Sequence, residues 1–282
     1  MIVIFGGSGF IGTALRTEFV KRKVEYMAPT EEQIDLRYED SKDKIADMVF
    51  DGDTIIMIAA YTKEHGEAYQ LTDWNVRMAA NMVAAIKDKN IAYFIYISSD
   101  SVYGRGEIFS GKLMNEDNPI SPDELYGYMH ATREQVFREY VPENKLTIFR
   151  PCAIYGVGDT HNAYGVNRFI REAKNANIIT LFGDGEEMRS NVHVDDVASI
   201  IATAAIKKIH GVFNINTGVA CTFKDVANLI KKNMGKRIKI VSKLRTKLIT
   251  HRFFDNSKLV QTFFAPRISD IGIPQMIKQM EN

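Results

Sequence analysis

Cysteine is scarce in this chain of 282 residues: Cys152 and Cys221 stand far apart and form no CxxC pair. A disulfide framework is excluded, and a reduced, cytoplasmic setting is expected. An excess of one charge is also missing, because 36 Lys and Arg face 35 Asp and Glu. Bulk attraction to nucleic acid or to an anionic membrane is therefore not expected. No stretch approaches the ~20 apolar residues that cross a bilayer. The opening "MIVIF" has no basic lead and is too short for a secretion signal. Internal repeats, low-complexity tracts and flexible linkers do not occur. The local exception to the charge balance is "KKNMGKRIKIVSKLRTK" from residue 231, which reads as a solvated basic face.

What is present is an alternation of short apolar runs with helical patterns. "MIVIF" (1–5), "VEYMA", "TIIMIAA" (54–60), "AYFIYISS" (92–99) and "LTIFRP" (146–151) read as strands. Between them, residues 12–22, 73–90 and 128–141 have helical periodicity. Near-continuous apolar strands separated by helices predict a parallel sheet covered on both faces, an α/β fold of doubly wound type. After residue 151 the pattern loosens, although "GVFNINTG" (211–218) still reads as a strand. The expected division is a dinucleotide-binding domain over 1–150, rejoined by the strand near 211–218, and a smaller α/β substrate lobe over 151–282.

The first chemical signal is "VIFGGSGFIGTAL". Gly6, Gly9 and Gly12 fall where a strand turns into a helix, the place where a pyrophosphate approaches backbone N–H groups and side chains would block it. A Rossmann-type turn binding NAD or NADP is predicted. The end of the second strand normally distinguishes the two by an acidic residue for the ribose 2′-OH or an arginine for a 2′-phosphate. "MAPTEE" offers neither at the expected place, with Glu31 and Glu32 slightly later, so the phosphate state is left open.

Further pieces follow in order: "DL" at 35–36, "AAYT" at 59–62, "WNV" at 74–76, "ISSDSVYG" at 97–104, "LYGYMH" at 125–130, "RPCAIYG" at 150–156 and "GDGEEMRSNVHVDDVA" at 183–198. With the glycine turn they resemble the extended short-chain dehydrogenase/reductases, in their nucleotide-sugar epimerase/dehydratase group, over essentially the whole chain. The resemblance implies that Gly6, Gly9, Phe10, Ile11 and Gly12 cradle the pyrophosphate and that Asp35 and Leu36 flank the adenine. It places Ala59, Ala60 and Pro151 along the cofactor and Asn75 behind the active site. Ser99 and Tyr126 match the catalytic Ser/Thr and tyrosine, and His130 stands where the family has its lysine. Tyr61, Asp100, Val166, Phe182 and Arg189 are implied on the substrate side, Phe182 stacking on a base and Arg189 gripping a diphosphate. Arg189 in an ion pair with Glu187 or Asp195 is the alternative. His193 and Asp195 are expected to hold a loop rather than a metal, and Asp195–Asp196 to cap the following helix. A cytoplasmic homodimer is the family's habit.

The departures carry the functional argument. The family lysine holds the nicotinamide ribose and lowers the tyrosine pKa; a histidine with its ordinary pKa of ~6.5 is only about a quarter charged at pH 7. A weakly activated Tyr126 suits proton donation to a ketone better than proton removal from an alcohol. At Ser101 the family's dehydratases carry glutamate and some epimerases cysteine, so neither carbon-acid base is present. Ala153 replaces an asparagine that contacts the diphosphate in many members. The expected function is NAD(P)-dependent reduction of a nucleotide-linked 4-keto sugar. A 4-epimerase or dehydrogenase that retains its NAD, and a non-catalytic cofactor-binding relative, are the alternatives.

Overall fold

The computed structural model describes residues 1–104, 113–235, 237–246 and 248–281. Two residues of the basic run, Lys236 and Lys247, lie outside them. The chain divides into two compact units. The first takes Met1–Gly104, Glu116–Pro151 and Val197–Asn214; the second takes Cys152–Asp196 and the chain from Ile215 onward.

In chain order the first elements are β1 (Ile2–Phe5), α1 (Phe10–Lys21), α2 (Ser41–Met48), β2 (Thr54–Met57), α3 (Ala68–Ile86) and β3 (Tyr93–Ile97). A 3₁₀ turn over Asp100–Tyr103 precedes α4 (Leu125–Tyr140) and β4 (Leu146–Pro151). Then come β5 (Ala153–Tyr155), α5 (Val166–Ala176), β6 (Ile178–Phe182), β7 (Met188–Arg189), β8 (Asn191–His193), α6 (Val194–Lys207) and β9 (Gly211–Ile215). The last are β10 (Cys221–Thr222), α7 (Phe223–Met234), β11 (Lys239–Lys243), α8 (Ser257–Thr262) and α9 (Ser269–Glu281).

Every residue of β2, β3 and β4 is buried, as apolar runs must be when helices cover both faces of a parallel sheet. The sheet runs β1-β2-β3-β4-β9, with Ile2 opposite Thr54, Thr54 opposite Tyr93 and Phe94 opposite Leu146. Alternation sends Val3, Phe5, Ile55, Met57, Phe94 and Tyr96 into one core with Met78, Met82 and Phe137 of α3 and α4. On α1, Arg22 donates to the Thr203 and Ser199 hydroxyls of α6 at 2.9 and 2.6 Å, which ties those two helices together.

The expected strand "VEYMA" is reduced to one bridge. Met27 pairs with Val3 on the side of β1 away from β2, donating to Ile2 O and accepting from Ile4 N, both at 2.8 Å. Pro29 follows and has no N–H to extend the ladder. The chain therefore passes from one side of β1 to the other, and the glycine turn after β1 sits at the point where strand order reverses. Ligands of open α/β sheets bind there.

The second unit is built of three two-stranded pairs, β5 with β8, β6 with β11 and β7 with β10. Its core gathers Phe169, Ile170, Leu181, Phe223, Ile230 and Ile273 between α5, α7 and α9. A capping box starts α7, with Thr222 and Asp225 each bonding the other's backbone N–H. The basic run is solvated along β11, where Lys239 and Lys243 are exposed. Among the described residues no helix is long and apolar enough to cross a membrane, and no three His, Cys, Asp or Glu gather as metal ligands.

Candidate active site

The three glycines of the turn differ in what requires them. A Cβ on Gly6, whose φ is +93°, would lie 2.5 Å from Ala59 N, and one on Gly12 would lie 2.2 Å from Gly6 O. Packing alone demands both. At Gly9 a Cβ would meet only Gly6 O, at 3.5 Å, an ordinary contact. Nothing inside the protein needs that glycine, so what it keeps clear is the approach from outside. Gly9 caps α1 without a side-chain bond, and the first-turn amides of Phe10, Ile11 and Gly12 have no acceptor within the helix. The arrangement fits a pyrophosphate. Gly9→Ala should leave the melting temperature within about 2 °C of wild type, yet weaken dinucleotide binding about tenfold or more in a fluorescence titration. Unchanged affinity would place the pyrophosphate elsewhere.

An open cavity of about 590 Å³ lies beside the turn, lined by Ser8, Thr30, Glu31, Glu32 and Asp35. Asp35 grips Arg37 with both carboxylate oxygens, at 2.6 to 3.1 Å, and this bond holds its pKa below the usual carboxylate value. The Arg37 guanidinium also reaches Glu31 at 3.3 Å and lies against the rings of Tyr61 and Trp74, at 4.7 and 5.0 Å. Tyr61 donates its hydroxyl to Glu31. Leu36 turns inward to the core rather than toward the cavity. Asn75 is fully buried and engaged: its oxygen accepts from Tyr61 N at 2.9 Å, and its amide donates to the carbonyls of Tyr61 and Leu71. It fixes the 59–61 segment, so its part is support from behind. Ala60 in that segment is half-buried.

At the carboxyl ends of β2 and β3 the polar residues converge. Ser99 caps the 3₁₀ turn, accepting from Ser101 N at 3.1 Å, and its hydroxyl donates to Asp100 Oδ1 at 3.4 Å. Asp100 is buried next to it. A Cβ on Gly127 would fall 2.4 Å from Ser101 O, so that glycine lets α4 close onto the turn. Tyr126 is 42% exposed along its ring. Desolvation of its hydroxyl, with the Asp100 carboxylate nearby, pushes its pKa up to about 12.

His130 sits one turn further along α4, 2% exposed, with its ring edge-on to Tyr126 at 4.7 Å. Its Nδ1 is 2.7 Å from the Tyr96 hydroxyl, while its buried Nε2 has no partner. Burial, then the Arg133 charge, hold its pKa well below the ordinary value, so the ring is neutral at pH 7. With Tyr96 donating to Nδ1, the tautomer left carries its proton on Nε2, which protein atoms cover, so the ribose contact implied for His130 is not open to it here. A histidine with a depressed folded pKa binds its proton only on unfolding. Stability should therefore fall as pH drops below about 6.5, by about 1.4 kcal/mol per unit from this group. Urea midpoints between pH 7.5 and 5 should show a shallower decline for His130→Gln; equal slopes would show that His130 is not the group responsible.

Behind the site is a buried network. Arg150 donates to both oxygens of Glu134, at 2.9 and 2.6 Å, and to the Tyr103 hydroxyl at 2.7 Å; Tyr103 donates to Asn214 at 2.9 Å. Ser98 also donates to Glu134, at 2.6 Å. Pro151, buried, ends β4 next to Arg150.

The second unit holds the remaining candidates. Phe182 packs on Tyr164 at 4.9 Å, with the Arg168 guanidinium 6.0 Å from its ring. Arg189 is paired with Glu187 and donates to the Thr250 and Met188 carbonyls, so of the two readings of this residue the ion pair is the one seen. Val166 is 3% exposed and packs in the core of the unit, which leaves it little surface for a nucleotide. His193 Nδ1 accepts from Asp195 N at 3.2 Å, where β8 passes directly into α6. Asp195 and Asp196 both lie in the first turn of α6, and Asp196 forms a forked ion pair with Arg267, at 2.7 to 3.0 Å.

Residues 2–216 match the NAD dependent epimerase/dehydratase family. The chain belongs to that family. It is thus an enzyme of oxidoreductase type in a family described as NAD dependent. It is 27% identical over 263 residues to the low-salt glycan biosynthesis protein Agl12 of Haloferax volcanii, covering 83% of this chain and 82% of that one. The fold is shared with UDP-glucose 4-epimerase of Thermus thermophilus, solved with NAD (TM-score 0.85, 20% identity, 100% of this chain and 99% of that one). It is shared equally with a dTDP-4-dehydrorhamnose reductase from Clostridium acetobutylicum (TM-score 0.84, 19% identity, 100% and 99%). Within this family member, Tyr96, Arg133, Glu134 and Arg150 shape the site without having been singled out in the sequence. Their signal was there for two of them: Arg133 and Glu134 are charged at the buried spacing of α4, in line with His130 and Phe137.

Proposed function

We propose that this family member reduces the 4-keto group of a nucleotide-linked sugar, with Tyr126 as proton donor and NADH as reductant. The observation that carries the reading is the setting of the pair on α4: a buried histidine, not a lysine, lies edge-on to Tyr126 at 4.7 Å, and the buried Asp100 carboxylate stands near the phenol. With a hydroxyl pKa near 12, Tyr126 is protonated at neutral pH, and the neutral His130 does not push it to ionise. That pair is set to give a proton, the need of a reduction; oxidation of a sugar hydroxyl needs the phenolate. The bound nicotinamide supplies hydride to the carbonyl carbon. Tyr126 delivers its proton to the carbonyl oxygen, and Ser99 donates a hydrogen bond to the same oxygen. Ser101 supports the reading from the other side, since serine is a poor base for the carbon-bound proton that a dehydratase must remove.

NADH rather than NADPH is supported by the cavity beside the turn. Three carboxylates, Glu31, Glu32 and Asp35, line it, and Arg37 is already held by Asp35 and Glu31. A 2′-phosphate there would face negative charge, and the guanidinium of Arg37 is already engaged. The test is nicotinamide absorbance against a panel of nucleotide-linked 4-keto sugars, with NADH and NADPH in parallel. Stoichiometric NADH consumption, at least about tenfold faster than with NADPH at limiting cofactor, is expected. Turnover of a 4-hydroxy sugar without added cofactor would replace this reading with epimerisation.

A further inference from the structure

Arg133 is 0% exposed and heads the largest fully buried side chains. Its guanidinium donates to Ala59 O at 2.9 Å and to Asn75 Oδ1 at 3.4 Å, and lies 5.0 Å from the centre of the Tyr96 ring. Its Nε has no partner. Among the described residues no carboxylate pairs with it, although its neighbour Glu134 is fully committed to Arg150. A guanidinium stays charged when buried, and a buried charge without a counterion is costly. Neutral acceptors and a ring face compensate only part of that cost. Something else at this place gains from the charge.

The position says what. Arg133 is three residues after His130 and seven after Tyr126, so all three project from one face of α4. Tyr96 joins them from β3: its hydroxyl meets His130 Nδ1 and its ring meets the guanidinium. The charged and titratable groups facing Tyr126 are Asp100 of the 3₁₀ turn, Glu64 of the preceding loop, Tyr96 of β3, and His130 and Arg133 of its own helix. The two carboxylates oppose ionisation of the phenol. Arg133 favours it, and His130, neutral, contributes no charge.

We propose that Arg133 is a positioning residue that supplies the fixed positive charge behind Tyr126, in the role that the family's lysine fills from the position of His130. The charge that the lysine would carry at position 130 is moved here one turn along α4, to Arg133. This rests on Tyr126 being the proton donor: as the proton leaves, negative charge grows on the phenol oxygen, and Arg133 is the cation placed to stabilise it.

The test reads the phenol directly, without substrate. Protein carrying ¹³Cζ-tyrosine is titrated by NMR from pH 8 to 11, free and with NAD⁺, the Tyr126 signal being assigned with Tyr126→Phe. Arg133→Met should cut the ionised fraction of Tyr126 at pH 11 about tenfold, as loss of a nearby cation predicts. His130→Lys combined with Arg133→Met, which moves the charge back to the family position, should restore it. Keto-sugar reduction should fall in the single variant and recover in the double. An unchanged Tyr126 signal in Arg133→Met would overturn the proposal. If the single variant does not fold, the double decides: wild-type titration supports the proposal, and failure to fold shows a purely structural arginine and ends it. Should the signals respond as expected while Tyr126→Phe still reduces the sugar, the proton-donor reading fails and the electrostatic assignment stands.

Discussion

Tyr126→Phe should lower kcat for keto-sugar reduction by about a thousandfold, within the range that a positioned general acid contributes. The ring is two-fifths exposed, and phenylalanine keeps its edge-on contact with His130, so the fold should not notice. Dinucleotide affinity should also hold, because the glycine turn and the acidic cavity are untouched. The pH dependence gives the sharper distinction. An acid must be protonated to act, so the wild-type rate should be level through neutrality and decline only as pH climbs toward the raised phenol pKa. An oxidation relying on the phenolate would instead accelerate about tenfold per unit over the same range. A variant that retained kcat within about threefold would remove the tyrosine from the chemistry.

The sheet and the dinucleotide turn were legible because their signals are local. Buried strands such as "TIIM" and "YFIYI" leave no polar face to confuse their period, and a glycine triplet directly after an apolar strand and opening a helix stands in the context that a phosphate-binding turn requires. The reach of α4 was less legible. Its first turn is Leu125–Tyr128, three residues before the apolar periodicity starts, because Gly127 is there to approach Ser101 rather than to build a helix. The strand at Met27 was lost for a tertiary reason: an edge position with alternating exposure needs little more than one pair of backbone bonds. Hardest to see were partnerships between distant segments. Nothing local says that Asn75 is consumed by the backbone of Tyr61, or that Arg189 is spent on Glu187 and Thr250. His130 could be flagged from its position, but its neutrality follows from burial and from an arginine one turn away.

Glu134→Leu should be the most damaging single change to stability. It leaves Arg150, almost wholly buried, without its carboxylate, and also strips Ser98 of its acceptor. Breaking a buried ion pair by removing one member costs about 3–5 kcal/mol, far more than the pair is worth against a well-packed apolar replacement. At about 2–4 °C per kcal/mol for a unit of this size, the melting temperature should drop by roughly 6–20 °C. Glu134→Gln, which keeps one acceptor, should lose less, and Glu134→Leu with Arg150→Met should recover much of the loss because the stranded charge goes with its partner. The consequence for catalysis follows from where the network ends. Ser98 and Tyr103 bracket the segment that carries Ser99, so a loosened Glu134 frees the hydroxyl that must meet Tyr126. A cycle combining Glu134→Gln with Ser98→Ala separates the two effects: coupling in kcat beyond that in stability means the network positions Ser99, and a cost below about 1 kcal/mol for Glu134→Leu would mean that water reaches Arg150 and the network is not closed.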